Sequence, residues 1–292
     1  MKILYIAGFE LPDFQCDMVF HGLRSLFGED CVDLNHAWIM YEEDKKKFWT
    51  QRVPEQGKSY GGGFTLYGTL PTLTIDRTDI LTKIKLNYFD KIVYGSVHRN
   101  LDFFDAVRAH YNKKDIIFID GEDQTHLNTS LIETGIYFKR ELVYTPSAQV
   151  RPLNFAIPEE LIKSSVPQKT QDWGIIIPGD KSTYVFDNQE DYYNDYARSF
   201  FGLTTKKGGW DCLRHYEILM NGCVPYFPDL IHCPEHTMVQ FPKEIILRTN
   251  KFVETEFELD QYHEVTTTLL EHTRKHLTTT ALAKYILEAG RE

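Results

Sequence analysis

KKGGWDCLRHYEILMNGCVPYFPD, residues 206–229, is the stretch on which the reading of this chain turns. Gly208 and Gly209 free the backbone just ahead of a helical spacing of apolar residues, which predicts a helix over residues 210–220, opened by Trp210. The start of a helix leaves backbone N–H groups without partners, and these present a site for an anion such as a diphosphate. Arg214 and Glu217 are three apart and share one face of that helix. A guanidinium there offers paired hydrogen bonds to a diphosphate, and a carboxylate one turn on accepts both hydroxyls of a ribose. The plainer reading of the two residues is a salt bridge along an ordinary helix. Asn221 and Gly222 then end the helix and release the chain into a short strand over residues 223–227.

Outward from this segment the pattern alternates between strand and helix. Residues 3–7 form a continuous apolar run ending at Gly8, as expected of a strand buried on both faces. Helical spacing over 18–26, 79–86 and 101–110 alternates with strand-like runs at 31–34, 91–95 and 115–120. Such alternation predicts an α/β fold with a parallel sheet. Residues 41–73 interrupt the pattern, and their Gly61, Gly62, Gly63 and Gly68 suggest a mobile loop or hairpin near the site. Pro152, Pro158 and Pro167 mark a break, after which strands at 173–178 and 200–204 and a helix at 189–199 precede the opening segment. An apolar stripe through residues 261–289 predicts one or two terminal amphipathic helices. With 292 residues, the chain divides into two lobes of roughly 150 residues or fewer, 1–155 and 172–292, joined by a linker at 156–171.

With this frame, R-x-x-E-x-L-x-x-G-C-V-P, carried by Arg214, Glu217, Leu219, Gly222, Cys223, Val224 and Pro225, resembles the donor-site motif of exostosin-like glycosyltransferases, and is similar to the looser Glu-containing motif of other GT-B enzymes. The match covers about two dozen residues. The resemblance implies a GT-B fold, two Rossmann-like lobes facing a cleft, and transfer of a sugar from a nucleotide-sugar co-substrate, with UDP-sugar favoured, to a hydroxyl of a glycan or other acceptor. It also implies a ribose contact at Glu217, a diphosphate contact at Arg214, and inversion at the anomeric centre. Ile218 stands where the family often has a small residue, so the sugar is not transferable from the motif.

No Asp-x-Asp triplet, the usual metal-holding signature of GT-A enzymes, occurs in the chain. Arg, Lys and a helix dipole neutralise the leaving group in the GT-B alternative, so no catalytic metal and no further cofactor is expected. His232, Cys233, Glu235 and His236 are interrupted by Pro234 and lack a second ligand pair. Lys181, in a Pro-Gly-Asp-Lys turn after a strand, and Arg140, beside Lys139 in YFKREL, are further candidates for the donor phosphates.

An inverting transfer needs a base on a first-lobe loop at the carboxyl end of a strand. Three places offer one: Asp13, Asp17 and His21 after the first strand, Ser96 and His98 after the third, and Asp120, Glu122 and Asp123 after the fourth. Asp17 with His21 ranks equally with the Asp120 and Asp123 group, although Asp17 also suits a helix cap and Asp120 a turn.

The net charge of -10 argues against a protein that coats nucleic acid. A DNA-modifying glycosyltransferase acting on a hydroxymethylated base is therefore the second acceptor hypothesis, and a nucleotide- or sugar-binding module without turnover is the non-catalytic one. A Rossmann oxidoreductase or methyltransferase lacks G-x-G-x-x-G after residues 3–7, where the sequence reads GFELPDF. Five Cys without a C-x-x-C pair, and no apolar run of about 20 residues, suggest a cytoplasmic enzyme with no transmembrane segment.

Overall fold

The computed structural model describes residues 1–8, 12–44, 65–253, 255 and 257–289. Gly61 to Gly63, and with them most of the expected loop or hairpin, lie outside the described residues.

β1 (Ile3–Ile6) shows why its apolar run is unbroken. Ile3 and Tyr5 pack into one core cluster and Leu4 and Ile6 into another, so both faces of the strand are covered. It is joined by β2 (Cys31–Asp33), β3 (Lys91–Tyr94), β4 (Ile116–Asp120), β5 (Ile136–Lys139) and β6 (Val150–Pro152) in a six-stranded parallel sheet of order β2-β1-β3-β4-β5-β6. The helices α1 (Phe14–Phe27), α2 (Ile80–Lys85), α3 (Phe104–His110) and α4 (Thr129–Ile132) connect these strands. α1 begins four residues earlier than the periodicity predicts, because Asp13 caps it by accepting the N–H of Cys16 at 3.2 Å. β5 and β6 are absent from the sequence reading; β6 ends on Pro152, inside the region read as a break.

A second parallel sheet of order β7-β8-β9 consists of β7 (Gln171–Trp173), β8 (Ser199–Leu203) and β9 (Val224–Tyr226), with α5 (Gln189–Arg198) and α6 (Leu213–Met220) between its strands. The strand expected at 173–178 lies instead at 171–173 and ends at Trp173. The Asp195 carboxylate takes the N–H of Ile175 at 2.7 Å, which ends the ladder, and Ile175 and Ile177 lie exposed. The helix expected from Trp210 starts at Leu213, because the N–H groups of Trp210 and Asp211 are held by Glu141 of the first lobe, both at 3.0 Å. Gly222 closes α6 at φ +63°, a backbone geometry that glycine adopts without strain.

α7 (Lys243–Thr249) and α8 (Leu259–His276) complete the second lobe, and α9 (Thr279–Glu288) returns to the first. Gly22 of α1 lets the two helices approach, since a Cβ there would collide with the carbonyl of Thr279. Thr279 donates its N–H to Ile157 at 2.8 Å, and Tyr285 bonds to the carbonyl of Pro152 at 3.0 Å. The chain is thus an α/β protein of two parallel-sheet lobes facing a cleft, with a terminal helix, α9, that crosses back. None of the helices among the described residues is long and apolar enough to cross a membrane.

Candidate functional site

The strand order of the first sheet reverses between β1 and β3, and in open α/β sheets the crevice at the carboxyl edge beside such a reversal is where ligands bind. A cavity of about 560 Å³ lies there. Its first-lobe wall comes from the residues that follow β1 (Asp13 to Gln15), β3 (Arg99), β4 (residues 121–123) and β5 (Arg140). The opposite wall is the loop and first turn of α6, Lys207 to Gly209, Asp211 to Arg214, and Glu217.

Arg214 is the most telling residue of that wall. Its side chain is buried, and Nε and Nη1 have no hydrogen-bond partner among the described residues. A buried guanidinium with two orphaned N–H groups is costly unless a ligand supplies acceptors. Cys212 sits at the N-cap of α6 without a side-chain capping hydrogen bond, and the N–H of His215 turns back to its carbonyl at 3.0 Å. Lys207 adds a second cation to the same wall.

Glu217 lies on the cavity wall with both carboxylate oxygens engaged. Thr65 donates to Oε1 at 2.5 Å and Tyr192 to Oε2 at 2.6 Å. Each oxygen retains a second acceptor position. Burial pushes the Glu217 carboxyl above the usual range, against the lowering effect of Thr65, Tyr192 and Arg214.

Gly208, Gly209, Asp123 and Arg140 converge on the cavity as well. The two glycines answer to a steric constraint: a Cβ at Gly208 would collide with Asp123, and one at Gly209 with Glu141. Arg140 is fully engaged within the protein, bonding to Asp123, to Glu141 Oε1 at 2.9 Å, and to the carbonyls of Gly121 (2.9 Å) and Asp211 (2.7 Å).

Several other candidates lie elsewhere. Asp17 is buried behind the wall, accepting from Tyr67 at 2.7 Å and from the N–H of Asp13 at 2.9 Å. Burial and the neighbouring Asp13 carboxylate push it to about 8. His21 sits on the face of α1 that meets α9, with Nδ1 2.9 Å from Thr279 Oγ1, and burial lowers it to about 4. Asp120 is fully buried between Lys139 (2.8 Å), Tyr137 and His98 (3.3 Å). Lys181 is exposed on a turn that does not line the cavity, and Trp210 lies just outside it with Lys206 above its ring. Among the described residues no three of His, Cys, Asp and Glu come together as a metal-binding group.

Arg99 and Asp211 line the cavity and Glu141 lies behind it, holding the N–H groups of Trp210 and Asp211; none of the three carries a sequence signal beyond its charge. Asp13 was legible as a residue following the first strand, and it is this carboxylate, not Asp17, that reaches the cavity, paired with Arg99 at 3.3 Å.

The sequence matches no protein-family model and no curated protein. Among solved structures, the crystal structure of Acinetobacter baumannii MurG is similar, with a TM-score of 0.43 and 9% identity over 100% of this chain and 99% of that one.

Proposed function

We propose that the protein is a metal-independent glycosyltransferase of the GT-B type, moving a sugar from a nucleotide-sugar, with UDP-sugar favoured, to a hydroxyl of a glycan or other acceptor. In this reading residues 172–292 supply the donor lobe plus the C-terminal helices, of which α9 packs on α1, residues 1–155 are the acceptor lobe, and 156–171 the linker. The orphaned, buried guanidinium of Arg214 at the start of α6 carries this reading. The diphosphate of the donor satisfies Arg214 and the first-turn N–H groups, and Glu217 receives the ribose hydroxyls on its remaining acceptor positions.

The acceptor oxygen attacks the anomeric carbon as the bond to the diphosphate breaks, a first-lobe carboxylate takes the hydroxyl proton, and Arg214 with the helix N-terminus stabilises the departing diphosphate. Of the carboxylates on that wall, Asp13 is paired with Arg99 and Asp123 with Arg140, while Glu122 has no ion-pair partner among the described residues. Glu122, the carboxylate of that wall not committed to an ion pair, is the base in this reading. All five cysteines are free thiols, which supports a reducing compartment such as the cytoplasm.

Calorimetric titration with UDP and GDP sugars, followed by an assay for released nucleoside diphosphate, tests the reading. Binding with turnover is expected; no binding of any nucleotide-sugar overturns it, and binding without release leaves only a binding module.

A further inference from the structure

Glu141 follows directly on β5 and Arg140, yet its carboxylate is spent on the other lobe. Oε2 accepts the N–H of Trp210 at 3.0 Å, and Oε1 accepts the N–H of Asp211 at 3.0 Å. Arg140 completes the grip by donating Nη1 to the carbonyl of Asp211 at 2.7 Å while bonded to Glu141 at 2.9 Å. The peptide groups on both sides of Asp211 are thus read by two buried first-lobe side chains, and its carboxylate accepts the N–H of Phe155 at 2.7 Å. Gly209 fits because a Cβ would collide with Glu141. On its own lobe the loop is tied to α6 by His215, whose Nε2 lies 2.9 Å from the carbonyl of Trp210.

A buried ion pair is a poor source of net stability, but its hydrogen-bond geometry is directional and fixes register. Here it fixes the loop that leads into α6. We propose that Arg140 and Glu141 are positioning residues for sugar transfer, setting the donor-bearing end of α6 opposite the first-lobe wall where the acceptor hydroxyl is activated. The inference rests on the function proposed above. The nucleotide contacts, Arg214 and Glu217, belong to the donor lobe itself, so losing the grip misplaces the donor relative to the acceptor without removing its contacts.

The test pairs Glu141→Gln with Gly209→Ala, which approach the same contact from opposite sides, so that one informative variant remains if the other fails to fold. Amide hydrogen exchange should quicken at Trp210 and Asp211 by about tenfold or more in either variant. In Glu141→Gln, affinity for UDP should stay within about threefold while kcat falls by about tenfold or more, as expected when reacting groups shift by a fraction of an ångström. Unchanged exchange at the two amides overturns the grip whatever the enzyme's activity. Quickened exchange with unchanged kcat, or an equal loss in kcat and UDP affinity, overturns the positioning role. Failure of the wild-type protein to bind any nucleotide overturns the underlying function instead, and the exchange result then stands by itself as a test of the contact.

Discussion

Tyr192 donates its hydroxyl to Oε2 of Glu217 at 2.6 Å, from one helix of the second lobe to the next. The bond satisfies a carboxylate that is almost fully buried. Tyr192→Phe leaves that oxygen without its donor and should destabilise the protein by about 1–3 kcal/mol, read from urea unfolding. The same change should raise the Glu217 pKa further, since a hydrogen bond to the ionised form is lost.

Arg214 should behave in the opposite way. Replacing it with Met keeps most of the volume and removes a buried charge whose Nε and Nη1 have no partner. Stability should stay within about 1 kcal/mol of wild type or rise. Affinity for UDP, measured by calorimetry, should fall by about 10- to 100-fold, the worth of a charge-assisted hydrogen-bond pair. Equal affinities before and after the change would overturn the proposed contact between Arg214 and the nucleotide.

Asp17 gives the stability a pH dependence of definite sign. Its carboxyl ionises near 3.8 when unperturbed, and burial together with Asp13 holds it protonated in the folded protein up to about pH 8. Between those values only the folded state binds the proton, so stability falls as pH rises, with a slope on the order of 1 kcal/mol per unit. Asp211, raised to about 7 mainly by burial, contributes with the same sign over a shorter range. His21, lowered to about 4 by burial, acts oppositely: between about 4 and 6.5 the unfolded chain binds the extra proton, and stability falls as pH falls. Asp17→Asn should therefore flatten the decline in unfolding free energy between pH 6.5 and 8, above the range of His21. An unaltered slope there would mean that Asp17 is ionised in the folded state.

Gly222 offers a test of the end of α6. At φ +63° an alanine is strained, and its Cβ would lie 2.7 Å from Cδ of Pro167. Gly222→Ala should cost about 1–2 kcal/mol in thermal or urea unfolding.

Periodicity made most of the sheet legible. The run at residues 3–7 is buried on both faces and the strand-like runs at 91–95 and 115–120 appear as β3 and β4, because burial writes itself into local sequence. What it does not record is the partner. Asp17 and His21 share a helical face as their spacing requires, but that face meets Tyr67 and Thr279 instead of the cleft. The start of α6 was displaced by Glu141, a residue 69 or more positions away that no local pattern connects to it. Arg214 was legible as a charged residue near a helix start, whereas its lack of partners is a property of the folded chain alone.

The packing of α9 on α1 has a consequence for how the protein is made. The face of α1 around His21 and Gly22 is finished only by residues that leave the ribosome some 250 positions later. Until then the nascent first lobe carries an uncovered apolar surface, and completing it is a late, long-range closure that local helix formation does little to hasten. A stalled or shortened chain ending before Thr279 is therefore expected to be a client for chaperones and proteases, even with all six strands of its first sheet already translated.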